Sequence, residues 1–204
     1  MVILVDKLDT SDRLLYAAIN LIAEKGYKAV STKEIAKEAS VSEMTLYRHF
    51  GTKQSVLDAA IDRFYYSASM QELFEKNIVW NLEKDLLMIS ESYYKLMKKN
   101  QKIILIAFKE GNSIEGLFNQ INKHPRQLKE HLIRYFLEMQ QKGKIQFEVN
   151  VESLAMVYLY MMYGEFVSRN FVDGHQITSI DADKFIKTVV QLFISALKVK
   201  VSNL

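Results

Sequence analysis

The chain has 204 residues, 49% of them hydrophobic and 25% charged, a balance that supports a buried core and argues against disorder. It contains no cysteine, which excludes disulfides and thiolate metal sites. The formal charge is +3, yet the first 66 residues hold nine basic and nine acidic side chains, so a polyanionic partner must be recognised by where charges point. The apolar start Met1–Val5 is too short for a secretory leader. The apolar run from Leu154 to Tyr163 is about half the ~20 residues a membrane span needs. A cytoplasmic protein without a membrane partner is the expectation.

Apolar residues recur at helical spacing almost throughout, and no alternating run is bounded by turn signals, so the expected fold is all-α. A first helix spans Ser11–Lys25, with Ser11 or Asp12 as cap and Gly26 as stop. Ser31 or Thr32 caps a short second helix whose Ile35, Ala36 and Ala39 face inward. After a turn at Ser40–Ser42 comes a third helix, Glu43–Phe50, broken by Gly51; Thr52 then caps a long fourth helix through Leu57, Ile61 and Phe64. The body reads as helices over Leu82–Asn100, Lys102–Glu110, Ile114–Ile121, Pro125–Lys142, Val151–Phe171 and Asp181–Val199. Pro125 suits a first helical position, where a missing N–H is harmless. The pattern predicts about nine helices: a three-helix N-terminal domain over residues 1–52 and a larger helical bundle over residues 53–204.

The segment from Ser31 to Phe50 has helix-turn-helix spacing. Ala36 is small where two steeply crossed helices must touch, and Ile35, Ala39, Val41 and Leu46 form the apolar wedge that fixes their angle. The third helix is left with Glu43, Met44, Thr45, Tyr47, Arg48 and His49 outside that wedge, a composition suited to the major groove of DNA. Lys33 and Lys37 share one face of the second helix, while Thr32 and Thr52 stand at helix starts, where free N–H groups attract phosphate.

A longer string carries a more specific signal: Gly26-Tyr27, Thr32-x-x-Ile35-Ala36-x-x-Ala39-x-Val41-Ser42, Thr45-Leu46-Tyr47-x-His49-Phe50 and Lys53-x-x-Val56-Leu57. Over roughly residues 11–60 it closely resembles the DNA-binding region of the TetR family of bacterial transcriptional regulators. The resemblance implies double-stranded DNA with a palindromic operator as partner; the surplus apolar surface of the helices Val151–Phe171 and Asp181–Val199 points to a homodimer, and no cofactor is expected. It places Thr32, Thr45, Tyr47, His49 and Lys53 at phosphate-binding and register-setting positions, Lys33, Glu43, Met44 and Arg48 within reach of base edges, and Ser42 among the DNA-binding residues. Two residues depart from the family pattern: Ser40 stands where glycine is usual, and Met44 replaces a small residue and offers a thymine methyl an apolar contact.

Signals for catalysis are weak. Gly111–Gly116 lacks the spacing and preceding strand of a nucleophile elbow, and Glu-x-x-His pairs are absent. His124 and His131 stand seven residues apart, roughly 10 Å along a helix, too far to share a metal. The chain therefore reads as a regulator rather than an enzyme, without catalytic or metal residues. The body's aromatic and methionine content serves first as core, and as a population suits a pliable pocket for a small apolar or aromatic effector. Candidate pocket residues are Tyr94, Met97, Phe108, His131, Phe136, Met139, Tyr160 and Glu165, with Glu110 and Arg134 as further polar groups. The expected function is a repressor released from its operator by that effector. The alternative is a DNA-binding scaffold of the same fold that acts through protein partners.

Overall fold

A computed structural model describes residues 8–65, 68–146 and 148–198. The apolar start Met1–Val5 and the predicted helix end at Val199 lie outside these residues. The described residues form helices and no strand, and none of those helices is long and apolar enough to cross a membrane. They divide into two compact units, Met1–Tyr66 with Asn100–His124, and Ser67–Lys99 with Pro125–Leu204.

The first unit contains α1 (Thr10–Lys25), α2 (Thr32–Glu38), α3 (Glu43–Phe50), α4 (Lys53–Tyr65), α7 (Gln101–Glu110) and α8 (Leu117–Ile121). Asp9, rather than Ser11 or Asp12, caps α1 by accepting the Asp12 N–H at 2.7 Å, and Asp12 instead pairs with Arg63 of α4 at 3.2 Å. Ser31 caps α2 in a reciprocal box: its hydroxyl accepts from Glu34 N, and the Glu34 carboxylate accepts from Ser31 N. That hydrogen bond is the main reason the Glu34 pKa lies below the usual carboxylate value. Leu14, Ile22, Ile35, Leu46, Leu57 and Ile61 are buried together with Ile106 of α7 and Leu117 of α8 as the unit's apolar interior. The helix expected over Ile114–Ile121 begins only at Leu117, after Gly116 at φ 76°.

The α2–α3 turn settles the conformation of Ser40, which takes φ 55°. Ser40 N donates to Lys37 O at 3.0 Å and Val41 N to Ala36 O at 2.9 Å, the paired bonds of a Schellman cap. A serine fills the left-handed position that glycine would occupy without strain, at a cost of about 1 kcal/mol.

The second unit contains α5 (Ala68–Glu72), a single π-turn over Leu73–Asn77, α6 (Leu82–Lys99), most of α9 (Lys123–Gln141), α10 (Val151–Phe171) and α11 (Ala182–Leu197). Periodicity gives no sign of α5 and its π-turn, and α9 starts two residues before Pro125, which still lies in the first turn. The core joins Leu86 and Ile89 of α6, Leu132, Phe136 and Met139 of α9, Tyr158 and Met162 of α10, and Val190 and Phe193 of α11. A polar network reaches into it from the α6 start. The Asp85 carboxylate, fully buried, accepts from Val79 N and Asn81 N at 2.9 Å each and from the Tyr135 hydroxyl at 3.1 Å. Between those two amides Trp80 adopts φ 58°, a left-handed conformation costing about 1–2 kcal/mol for a bulky residue, which the clamp on both sides sustains. Burial first, then the adjacent Asp85 charge, raises the Tyr135 pKa, so this hydroxyl stays a donor.

Candidate nucleic-acid interface

Helix α3 is eight residues long and buries one side chain completely, Leu46. Isolated, so short a helix would not persist. It is held by Leu46 in the wedge, by Ser42, whose hydroxyl accepts the Thr45 N–H at 3.1 Å, and by Gly51 at φ 76°. What remains faces solvent: Met44 is 76% exposed and Tyr47 48%, beside exposed Arg48 and His49. Lys33 and Lys37 of α2 are exposed as well. An apolar group, a phenol and cations on one rigid element suit a surface that reads base edges and neutralises phosphate.

Several predicted contact residues already have partners inside the unit. Thr32 donates to the Glu43 carboxylate at 2.6 Å, and the Tyr47 hydroxyl lies 3.3 Å from the same Thr32 oxygen. Glu43, Thr32 and Tyr47 thus form one string linking the start of α2 to the recognition helix. Ser42 and Thr45 hydroxyls lie 2.9 Å apart.

Lys53, expected from the resemblance at a phosphate-binding position, has partners within the unit. Its ammonium donates to Tyr27 O and Val30 O, both at 2.7 Å, and sits 4.1 Å from the Tyr27 ring centroid. Burial lowers its pKa, opposed by Glu110 and Glu34. In this arrangement Lys53 is a staple between α4 and the α1–α2 turn. The same turn is gripped from α7, where Glu110 accepts the Tyr27 N–H at 2.9 Å and Lys109 donates to Ala23 O at 3.0 Å. Gly26, at φ 89°, lies so close to Glu110 that an added Cβ would stand 2.9 Å from its carboxylate. Glu110, one of the polar groups the sequence suggests for a pocket, thus braces the α1–α2 turn.

The predicted pocket residues differ in burial, and Tyr94 packs against the core cluster that holds Phe136 and Met139. Phe136 and Met139 are fully buried core and Met97 nearly so, whereas Phe108 is 53% and Tyr160 66% exposed. Tyr94 meets the edge of Phe166, and Glu165 pairs with Arg169 within α10. Phe108 belongs to the first unit and the other seven to the second. Of the eight, His131 alone lines the groove found in the second unit.

Fold and surface together define a helix-turn-helix DNA-binding protein. Residues 14–60 match the profile of bacterial regulatory proteins, tetR family. Over 188 residues, 92% of this chain and 97% of the relative, it is 31% identical to YvkB of Bacillus subtilis strain 168, an uncharacterized HTH-type transcriptional regulator. Two solved structures share the fold. The transcriptional regulator FadR from Bacillus subtilis, in complex with stearoyl-CoA, superposes with a TM-score of 0.70 at 20% identity, covering 91% of this chain and 98% of that one. A protein from Saccharomonospora viridis in complex with choline gives a TM-score of 0.70 at 19% identity, covering 91% and 95%. The chain belongs to the TetR family of DNA-binding transcriptional regulators.

Proposed function

We propose that the protein is a homodimeric repressor that binds a palindromic operator through α3 and is released from it by a small organic effector. The observation that carries the DNA side of this reading is the solvent-facing row Met44, Tyr47, Arg48 and His49 on a helix fixed by fully buried Leu46. On this reading residues 1–52 carry the DNA contacts, and residues 53–204 supply the effector site and the dimer surface.

The dimer surface is drawn from α10 and α11. Val157, Tyr160, Met161 and Tyr163 of α10 are exposed without an intervening charge, and Leu192 of α11 is 55% exposed. Apolar area of this kind on two long helices suits a two-fold interface, which would present two recognition helices to one palindrome. An effector site is supported by the two fold neighbours that hold stearoyl-CoA and choline. A signal can reach α3 along α4, which carries the Lys53 staple, and along α7, which holds the Tyr27 amide.

The test is selection of bound duplexes from a random pool. The wild type is expected to enrich an inverted repeat, and Met44→Ala to relax one thymine position by about 1 kcal/mol. A Tyr47→Ala/Arg48→Ala protein that enriches the same duplex with the same affinity would overturn the reading. An effector with a coupling of about 1–3 kcal/mol would lower operator affinity roughly 5–150-fold, and operator would weaken effector binding by the same factor.

A further inference from the structure

The second unit holds a groove of about 400 Å³ that the DNA surface does not use. Two aromatic stacks line it: Phe74 on His131, with centroids 5.0 Å apart, and Trp80 on Tyr135, with centroids 6.0 Å apart. Glu75, Arg134 and Glu138 are its charged lining groups. One face of Trp80 already carries a cation. The Lys142 ammonium lies 4.7 Å from the ring centroid and 3.6 Å from a Glu138 carboxylate oxygen. Lys142 follows the last residue of α9, and its side chain is 40% exposed, so it can swing away into water. The backbone that carries the indole is held: the Asp85 carboxylate accepts from the amides on both sides of Trp80, and the ring stacks on buried Tyr135.

An electron-rich ring face beside a carboxylate selects alkylammonium groups over neutral or anionic ones. Against the one cationic lining residue, Arg134, stand the carboxylates of Glu75 and Glu138, so the charged lining is net anionic. Arg134 lies 2.9 Å from His131 Nδ1, the geometry of a guanidinium donating to a neutral imidazole, and burial lowers the His131 pKa in the same sense. Glu75 accepts from Gln71 at 2.7 Å and keeps a second negative charge at the rim.

We infer that this groove binds an organic cation, an aryl- or alkylammonium whose charged head replaces the Lys142 ammonium on Trp80 and pairs with Glu138. Its apolar part lies toward Phe74. The site is set by ring and carboxylate placement and stands whether or not the operator reading holds.

Trp80 is the only tryptophan of the chain, so its emission reports the site directly. Full-length protein titrated with benzyltrimethylammonium is expected to show a saturable emission change. Benzyl alcohol and benzoate, at matched ionic strength, should show none. Removing the resident cation with Lys142→Ala should tighten binding about 2- to 5-fold, and Glu138→Gln should weaken it by a similar factor. Trp80→Gly, which suits the left-handed backbone, should abolish binding by calorimetry while the far-ultraviolet spectrum is kept. Saturation by benzoate, equal affinity for benzyl alcohol, or an unchanged affinity in Lys142→Ala would each overturn the proposal. Both Lys142 and Glu138 are surface residues, so these arms decide even where Trp80→Gly fails to fold.

Discussion

Replacing Lys53 with methionine keeps the alkyl stem beside Tyr27 and removes only the ammonium. The wild-type group makes two charge-assisted hydrogen bonds of 2.7 Å to Tyr27 O and Val30 O and lies 4.1 Å from the Tyr27 ring. A buried bond of this type contributes about 1.5–3 kcal/mol, and half-exposure with water as a competitor reduces that by about half. Adding about 0.5 kcal/mol for the ring contact gives an expected loss of about 2–3 kcal/mol in folding stability. Urea denaturation followed by circular dichroism, at a fixed protomer concentration, measures it. The salt dependence of operator binding supplies the contrasting readout. A lysine acting as a staple lowers affinity with little change in the slope of log K against log salt. A lysine acting only as a phosphate contact leaves stability alone and reduces the slope by about 0.9. A stability change under about 0.5 kcal/mol together with that loss of slope would refute the staple.

Asp85→Ala should destabilise the protein by about 2–3 kcal/mol, because it leaves the part-buried Val79 and Asn81 amides and the buried Tyr135 hydroxyl without their acceptor; thermal unfolding at neutral pH checks it. His131 titrates below its ordinary value in the folded protein, through burial and then Arg134, so the unfolded chain takes up its proton first as pH falls. Stability should therefore decline as pH drops below about 6.5, and His131→Gln should flatten that part of the profile when denaturation midpoints are compared between about pH 7.5 and 5.

Much of the DNA-binding half was legible because its signals are short-range. Caps, glycine stops and the apolar wedge act within a few residues, so the sequence places α3 at Glu43–Phe50 and narrows the α2 cap to Ser31 or Thr32, of which Ser31 is the one that accepts. Even there, adjacent polar residues blurred the detail: Asp9, Ser11 and Asp12 all suit a cap, and only backbone geometry shows that Asp9 accepts the Asp12 amide. The segment Ala68–Asn77 escaped notice because a five-residue helix and one π-turn are too short to show a period.

The body is a different case. Phe136, Met139 and Tyr160 look alike in a periodic pattern, but two are fully buried and the third is mostly exposed, since burial depends on which helices pack against each face. Lys53 illustrates the same limit at the DNA-binding end. Its position matches a phosphate-binding pattern, yet its ammonium is taken by carbonyls of residues 23 and 26 positions away in the chain.

Residue spacing and capping are enough to set the helical class, the helix-turn-helix and the residues that α3 can present to DNA, because they are properties of neighbouring residues. Only the tertiary structure decided that α7 braces the α1–α2 turn through Glu110, 83 positions from Tyr27, and that Tyr135 reaches Asp85 across 50 positions to complete the clamp around Trp80. Such contacts join side chains that no local pattern relates, and their energies appear only once packing has removed water and fixed both partners.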